Sequence, residues 1–396
     1  MKTILFAFVA IFILTACAST NPGTPAKSPT ANRLPTATPA DAPTLLPEEA
    51  VPFSQTEWKT NFKKHTLPFS DILSGGVPKD GIPALDQPKF VSTSDASAWL
   101  KDSEPTILFE NNHEVRAYPL QILIWHEIVN DTVGGLPIAV TFCPLCNSSI
   151  VFDRTVAGAA TTFGTTGKLH YSDLVMYDRA TESWWQQLTG VAIVGDRVGT
   201  QLKFLPSQVV AFGELRARYP DGQVLSKETG YSRPYGQNPY VGYDSGAPFL
   251  YSGPPTPGTL HPTDRIVTLI VGNIAIAYPY RVLADKRVIN DTLAGQDFVI
   301  FWKGGTNSAL DARAIASGRD IGATGVFDRN VNGERLTFLV AGDQFKDKET
   351  GTDWDILGRG ISGTLAGQQL APIVHGNYFW FAWAAFRPDT KIYEVK

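Results

Sequence analysis

HEIVNDTVGGLPIAVTFCPLCNSS, residues 126–149, gathers a histidine and two of the chain's three cysteines into one short stretch. Val133-Gly134-Gly135-Leu136 reads as a two-residue hairpin turn, because glycine supplies the positive φ that primed turns need and the flanks are apolar or β-branched. Pairing outward from 133/136 sets Thr132 opposite Pro137, whose missing N–H is not asked for at a non-hydrogen-bonded position. Carried to its end, the same register sets His126 opposite Cys143, with Cα atoms about 4.5 Å apart. The strand then closes in Cys143-Pro144-Leu145-Cys146, a knuckle of the kind found in zinc ribbons. A CxxC beside a cross-strand histidine predicts a metal or redox site first and a structural disulfide second.

A second copy of this scaffold lies further along the chain. Laid over 277–308, residues 117–148 share ten identities in 32 ungapped positions, among them Ala-Tyr-Pro at 117–119 and 277–279 and Asn-Asp-Thr at 130–132 and 290–292. Average composition would give about two, so the pattern predicts a duplicated supersecondary unit. The second turn is Leu293-Ala294-Gly295-Gln296, and its register sets Lys286 opposite Lys303. In that copy Lys286 replaces His126, Lys303 replaces Cys143 and Thr306 replaces Cys146. A weaker echo matches Asp178, Thr181 and Trp185 with Asp347, Thr350 and Trp354. The second copy is read as keeping the scaffold and losing the chemistry.

Short apolar or β-branched runs bounded by turn residues predict strands at 106–109, 138–142, 150–154, 191–194, 266–271, 298–302 and 336–340. Short helices are predicted at 94–100, 119–124, 206–219 and 309–317. The expected fold is α+β, mostly β, in two pseudo-symmetric lobes with short helices. The first lobe spans 53–230 and carries the Cys/His site; a Pro-rich connection follows at 231–258, and 259–396 is the degenerate copy. The aromatic run 378–383 is expected to be core rather than a carbohydrate platform.

At the N-terminus, Lys2, the apolar run 4–14 and Leu14-Thr15-Ala16-Cys17 read as a lipoprotein signal, residues 1–16, ending in a lipobox. The apolar run is too short to span a bilayer, so a lipidated Cys17 would hold the protein to a membrane from outside the cytoplasm. Residues 17–52, rich in Pro, Thr and Ala, read as a tether. A formal charge of −4 with signs interspersed argues against nucleic acid as a partner. One cysteine pair in a large exported chain is not a disulfide framework.

The blocks HEIVND, TFCPLC, IVFDR and MYDRATESWWQQLTG make the chain resemble a bacterial and archaeal group, domain-of-unknown-function family 3179, over roughly residues 55–390. That resemblance implies an exported or membrane-tethered protein and brings no established activity. His126, Glu127, Asn130, Asp131, Cys143, Cys146, Asp178, Arg179, Thr181, Ser183 and Trp185 fall within its blocks.

Three chemistries fit these residues. Two thiolates and an imidazole select a soft transition metal, copper or zinc, bound by Cys143, Cys146 and His126. Met176, the one methionine left after signal removal, is the candidate fourth ligand, although a lone methionine is ordinarily core filler; His170, Asp178 or water could take its place. Thiol–disulfide exchange through Cys143 and Cys146 is the alternative, weakened because a strand and not a helix follows the CxxC. A peptide or glycan module built on the tryptophans would leave the cysteines unexplained. Strand alternation points Glu127 away from His126, toward a basic residue such as Arg179. Glu127, Asn130, Asp131, Asp178, Arg179 and Trp185 are the supporting set, no catalytic residue is assigned, and an envelope metal or redox protein is the expected partner.

Overall fold

The computed structural model describes residues 43–394, so the signal, the lipobox and Cys17 lie outside the described residues. The hairpin keeps the register read from its turn: Val133 pairs with Leu136, Thr132 with Pro137, and the ladder runs to Ile128 opposite Thr141. Gly134 and Gly135 both have positive φ, and a Cβ at Gly134 would come 2.3 Å from the Asn111 carbonyl oxygen, so only glycine fits there. The strand Leu136–Cys143 pairs on its other side with Ser148–Asp153, which pairs in turn with Lys203–Leu205, giving a four-stranded antiparallel sheet.

Ahead of the hairpin, Pro105–Asn111 and Glu114–Pro119 pair antiparallel, and the chain passes directly into the helix Leu120–His126. This helix runs two residues beyond its predicted end. It stops because Glu127 takes φ 57°, its N–H bonding back to the Leu123 carbonyl. The Glu127 carbonyl still accepts from Phe142 N at 2.8 Å, but the ladder ends there and His126 belongs to the helix.

The second half repeats this succession at a constant offset of 160. Arg265–Val271, Ile274–Pro279, the helix Tyr280–Lys286, Val288–Leu293 and Gln296–Lys303 follow in the same order and with the same bounds as their counterparts. Side-chain bonds repeat as well. Tyr118 donates to Asp131 at 2.7 Å and Tyr278 to Asp291 at 2.8 Å; Asn130 brackets the backbone of Phe163 and Asn290 that of Phe338. The faint echo is the closest match of all. Asp178 accepts from Thr181 N, Thr181 Oγ1 and Trp185 Nε1, and Asp347 accepts from Thr350 N, Thr350 Oγ1 and Trp354 Nε1.

Lys286 and Lys303 do not face each other. Lys286 ends its helix beside Asp285 at 3.3 Å, and Lys303 reaches Glu214 at 2.6 Å. Two helix predictions give way to other structure. Residues 206–219 divide into the strand Gln208–Ala211 and the helix Phe212–Arg218, and 309–317 holds only the 3-10 turn Ile315–Ser317. Tyr378 to Trp383 are buried, spanning the end of the strand Gly376–Phe379 and the start of the helix Trp380–Phe386.

Apolar packing does not respect the midpoint of the chain. One cluster joins Ile122, Phe142 and Cys146 with Phe379, Trp380 and Phe381, and another joins Val210 and Phe212 with Phe301 and Phe327. The connection 231–258 is tied to both halves, through Trp125 Nε1 to the Gln237 carbonyl and through Gly242 N to the Asp311 carbonyl.

Candidate functional site

Cys143 is the last residue of its strand and pairs with Ser148, so Pro144 to Asn147 form the tip of a hairpin. Asn147 takes φ 51°, the left-handed conformation that asparagine tolerates better than most residues. The knuckle predicted from CPLC therefore exists, and both cysteines are free and buried, 1% and 0% exposed.

Their partner is a residue that the sequence reading passed over. Phe163–His170 and Asp173–Asp178 form a second hairpin whose two-residue turn is Tyr171-Ser172, both with positive φ. That turn places fully buried Asp173 beside the knuckle, and the donor atoms of Cys143, Cys146 and Asp173 all lie within 4.8 Å of one another. Asp173 Oδ2 accepts from Gln186 Nε2 and from Leu188 N, while Oδ1 is buried without a hydrogen bond. An aspartate ahead of an apolar strand is an ordinary turn residue, and Tyr-Ser lacks the glycine or asparagine that marks a primed turn. No strong signal in the sequence singled Asp173 out.

Glu127 completes the acidic group. It is 7% exposed. Burial, with the Asp173 carboxylate second, pushes its pKa up to about 8; burial raises that of Asp173 to about 7. Burial also pushes the Cys143 thiol up, and the Cys146 thiol further, with Cys143 adding to the effect. The leading influences on these four groups are burial, one another and hydrogen bonds, with no cationic side chain among them. The expected pairing of Glu127 with Arg179 is not found, since Arg179 is held by Asp86 at 2.7 Å and Asp80 at 3.6 Å.

His126 is not a member of the cluster. Its Nδ1 lies 2.7 Å from the Pro83 carbonyl and its Nε2 2.6 Å from the Tyr235 hydroxyl, so both nitrogens are engaged away from the thiols. The helix that ends at His126 turns this ring aside and leaves Glu127, the next residue, as the one electrostatically coupled to Cys143 and Asp173. Met176 is buried in the strand Asp173–Asp178 between Thr165 and Trp185, and strand alternation puts it on the face opposite Asp173. It is core. Asp178, at the far end of the same strand, staples the Thr181 to Trp185 turn. His170 pairs with Asp173 across the hairpin backbone, and its side chain reaches that carboxylate through Gln186, whose Oε1 lies 2.6 Å from His170 Nδ1. Asn130 and Asp131 hold neighbouring strands, as described above.

A cover lies over the knuckle. Tyr243 donates to the Leu145 carbonyl at 3.0 Å, Ser172 Oγ donates to the Phe249 carbonyl at 2.6 Å, and Phe379 N donates to the Cys146 carbonyl at 2.9 Å. The two hairpin tips that carry the thiols and the carboxylate are thus fixed by the connection and by the second half.

Residues 79–390 match the model of one family, described as Protein of unknown function (DUF3179). The chain belongs to that family. The match begins some way after the start expected from the sequence blocks and takes in both hairpins of the site. No curated protein and no solved structure matches the chain. What a DUF3179 protein does with this cluster is therefore a question for its chemistry.

Proposed function

We propose that this protein is a lipid-anchored envelope protein whose Cys143, Cys146 and Asp173 bind one transition metal ion, zinc ahead of copper. The observation that carries the reading is a buried cluster of two thiols and the Asp173 carboxyl, one oxygen of it unmatched, with the Glu127 carboxyl raised by it and no cationic side chain among the leading influences on the four groups. Buried anions left uncompensated are costly, and they are found paired or coordinating metals. A bound cation reverses the local acidity, holding thiols as thiolates that burial alone keeps protonated. Two thiolates with a carboxylate oxygen suit zinc better than copper(I), which favours an all-soft set. Bound zinc would supply a fixed positive charge and Lewis acidity; Cys143, Cys146 and Asp173 would hold it, with Glu127 beyond them.

Burial pushes both thiols up, away from the thiolate form, and this works against a thiol–disulfide enzyme, whose attacking cysteine must be a thiolate. The lipobox supports the membrane anchor, and among the described residues no helix is long and apolar enough to cross a membrane. Metal content measured after purification without chelators tests the centre. About one ion per chain is expected in the wild type. Asp173→Asn should weaken affinity beyond the 10- to 100-fold typical of an outer-shell change. His126→Ala should keep the metal and lose about 1–3 kcal/mol of stability through its unmatched partners. Equal metal in wild type and a Cys143→Ser/Cys146→Ser variant would end the proposal.

A further inference from the structure

The second half lacks the cysteines, yet it carries a polar cavity that the scaffold does not require. The cavity, about 520 Å³, opens beside the start of the helix Tyr280–Lys286 and the end of the strand Gln296–Lys303. Arg265, Tyr280, Arg281 and Trp302 line it. At the equivalent places of the first half, 160 residues earlier, stand Pro105, Leu120, Gln121 and Phe142. A fold that closes with proline, leucine and phenylalanine in one half needs neither an arginine nor an indole N–H there in the other.

The polar atoms of this cavity are incompletely matched. Arg265 is 7% exposed; its Nη2 donates to Asp244 Oδ2 and to Ser308 Oγ, both at 2.8 Å, but its Nε has no partner. Trp302 Nε1 is buried without an acceptor, and Asp244 Oδ1 is buried without a donor. Arg281 is exposed at the rim, and among the described residues its guanidinium has no partner. Of the other carboxylates of the cavity, Asp320 is held through both oxygens and Asp264 through one. Asp320 accepts from the backbone of Gly305, Thr306 and Gly322, and Asp264 Oδ2 from His261 N. Free donors therefore outnumber free acceptors, and the donors include two guanidinium groups. Buried polar atoms left this way are costly unless water or a ligand meets them.

We infer that this cavity binds a small hydroxylated organic acid of sugar size, with a hexuronic acid as the type. Its carboxylate would be met by Arg281 and Arg265, since planar guanidinium pairs with carboxylate through charge-assisted bonds. A hydroxyl would donate to Asp244 Oδ1, and the Trp302 and Tyr280 rings offer apolar wall to the ring carbons. Gly322 lets the indole sit where it does, because a Cβ there would come 2.3 Å from Trp302 Cε2.

The test uses the full mature chain and follows tryptophan emission during titration with glucuronate, glucose and inorganic phosphate. Glucuronate should give a saturable change, glucose should bind at least about tenfold more weakly for want of the carboxylate, and phosphate likewise for want of hydroxyls and ring. Trp302→Phe should abolish the emission change, and Arg281→Ala should weaken binding about tenfold. Arg281 is exposed, so that variant keeps its fold, which circular dichroism verifies. No saturable response to glucuronate at millimolar concentration, equal affinity for phosphate, or unchanged affinity in Arg281→Ala would each overturn the inference.

Discussion

Glu127 is the residue that best separates a metal centre from a buried acidic accident. It sits at φ 57°, a conformation unusual for a side chain with a Cβ, where the helix Leu120–His126 meets the hairpin ladder, as Arg287 does at φ 59° in the second half. Its carboxyl is raised from the ordinary carboxylate range to about 8 and that of Asp173 to about 7. Between the unfolded values, near 4, and these folded values, the native protein holds protons that the unfolded chain has released. The contribution of these two groups to the stability of the metal-free protein should therefore be fully present below about pH 4 and be lost as pH rises through 7 and 8. Denaturant unfolding of chelated protein from pH 6 to 9, compared with Glu127→Gln, measures this. The variant should show the shallower decline, and parallel slopes would mean that Glu127 does not titrate as described. With metal bound the sign reverses, because the ligands must be deprotonated to bind and acid expels the ion.

At the scale of elements, the hairpin was legible because its turn chemistry is local. Val133-Gly134-Gly135-Leu136 fixes the register as far as Ile128 opposite Thr141, and Leu293-Ala294-Gly295-Gln296 does so as far as Val288 opposite Phe301. Extending either register by two more residues failed for a nonlocal reason. A helix begun at Leu120 or Tyr280 uses those residues for its last turn, and period alone does not say where helix yields to strand. The knuckle was legible from CPLC. Asp173 was not, because it enters the site from a hairpin whose turn, Tyr171-Ser172, has no sequence signature. The Asp178 to Trp185 block, read as support for the site, is instead a staple present in both halves. Asp347→Ala should accordingly destabilise the protein by about 2–4 kcal/mol, leaving Trp354 Nε1 and Thr350 without their acceptor, while metal content stays at the wild-type level. Denaturant unfolding beside elemental analysis checks both parts. Loss of metal would tie the second half to the centre directly.

Across the whole molecule, the proposed anchor and the proposed metal centre can be tested separately. The described fold is already engaged near its first residues, with Leu46 N bonded to the His65 carbonyl at 2.9 Å and Glu49 accepting from Phe69 N at 2.6 Å. The proposed anchor at Cys17 lies well before these contacts, so Cys17→Ser should move the protein from the membrane to the soluble fraction with its metal unchanged. Retention on the membrane would mean that the apolar N-terminus itself holds it. The centre, in contrast, should bind the molecule together. The connection bonds to Leu145, which stands between the two cysteines, and to Ser172, which precedes Asp173. The proposed ion, joining the two hairpin tips, would hold both of those anchors at once, and its removal would leave four acidic groups together with nothing to bridge them. The cover carries no lysine or arginine between Tyr240 and Gly258, but Phe249 is 57% exposed. Chymotrypsin should therefore cut near Phe249 faster in chelated than in metal-loaded protein, because cleavage of a fold follows its local opening. In Cys143→Ser/Cys146→Ser the rate should be high and indifferent to added zinc. Equal rates in loaded and chelated wild type would show that the ion, where bound, does not hold the connection in place.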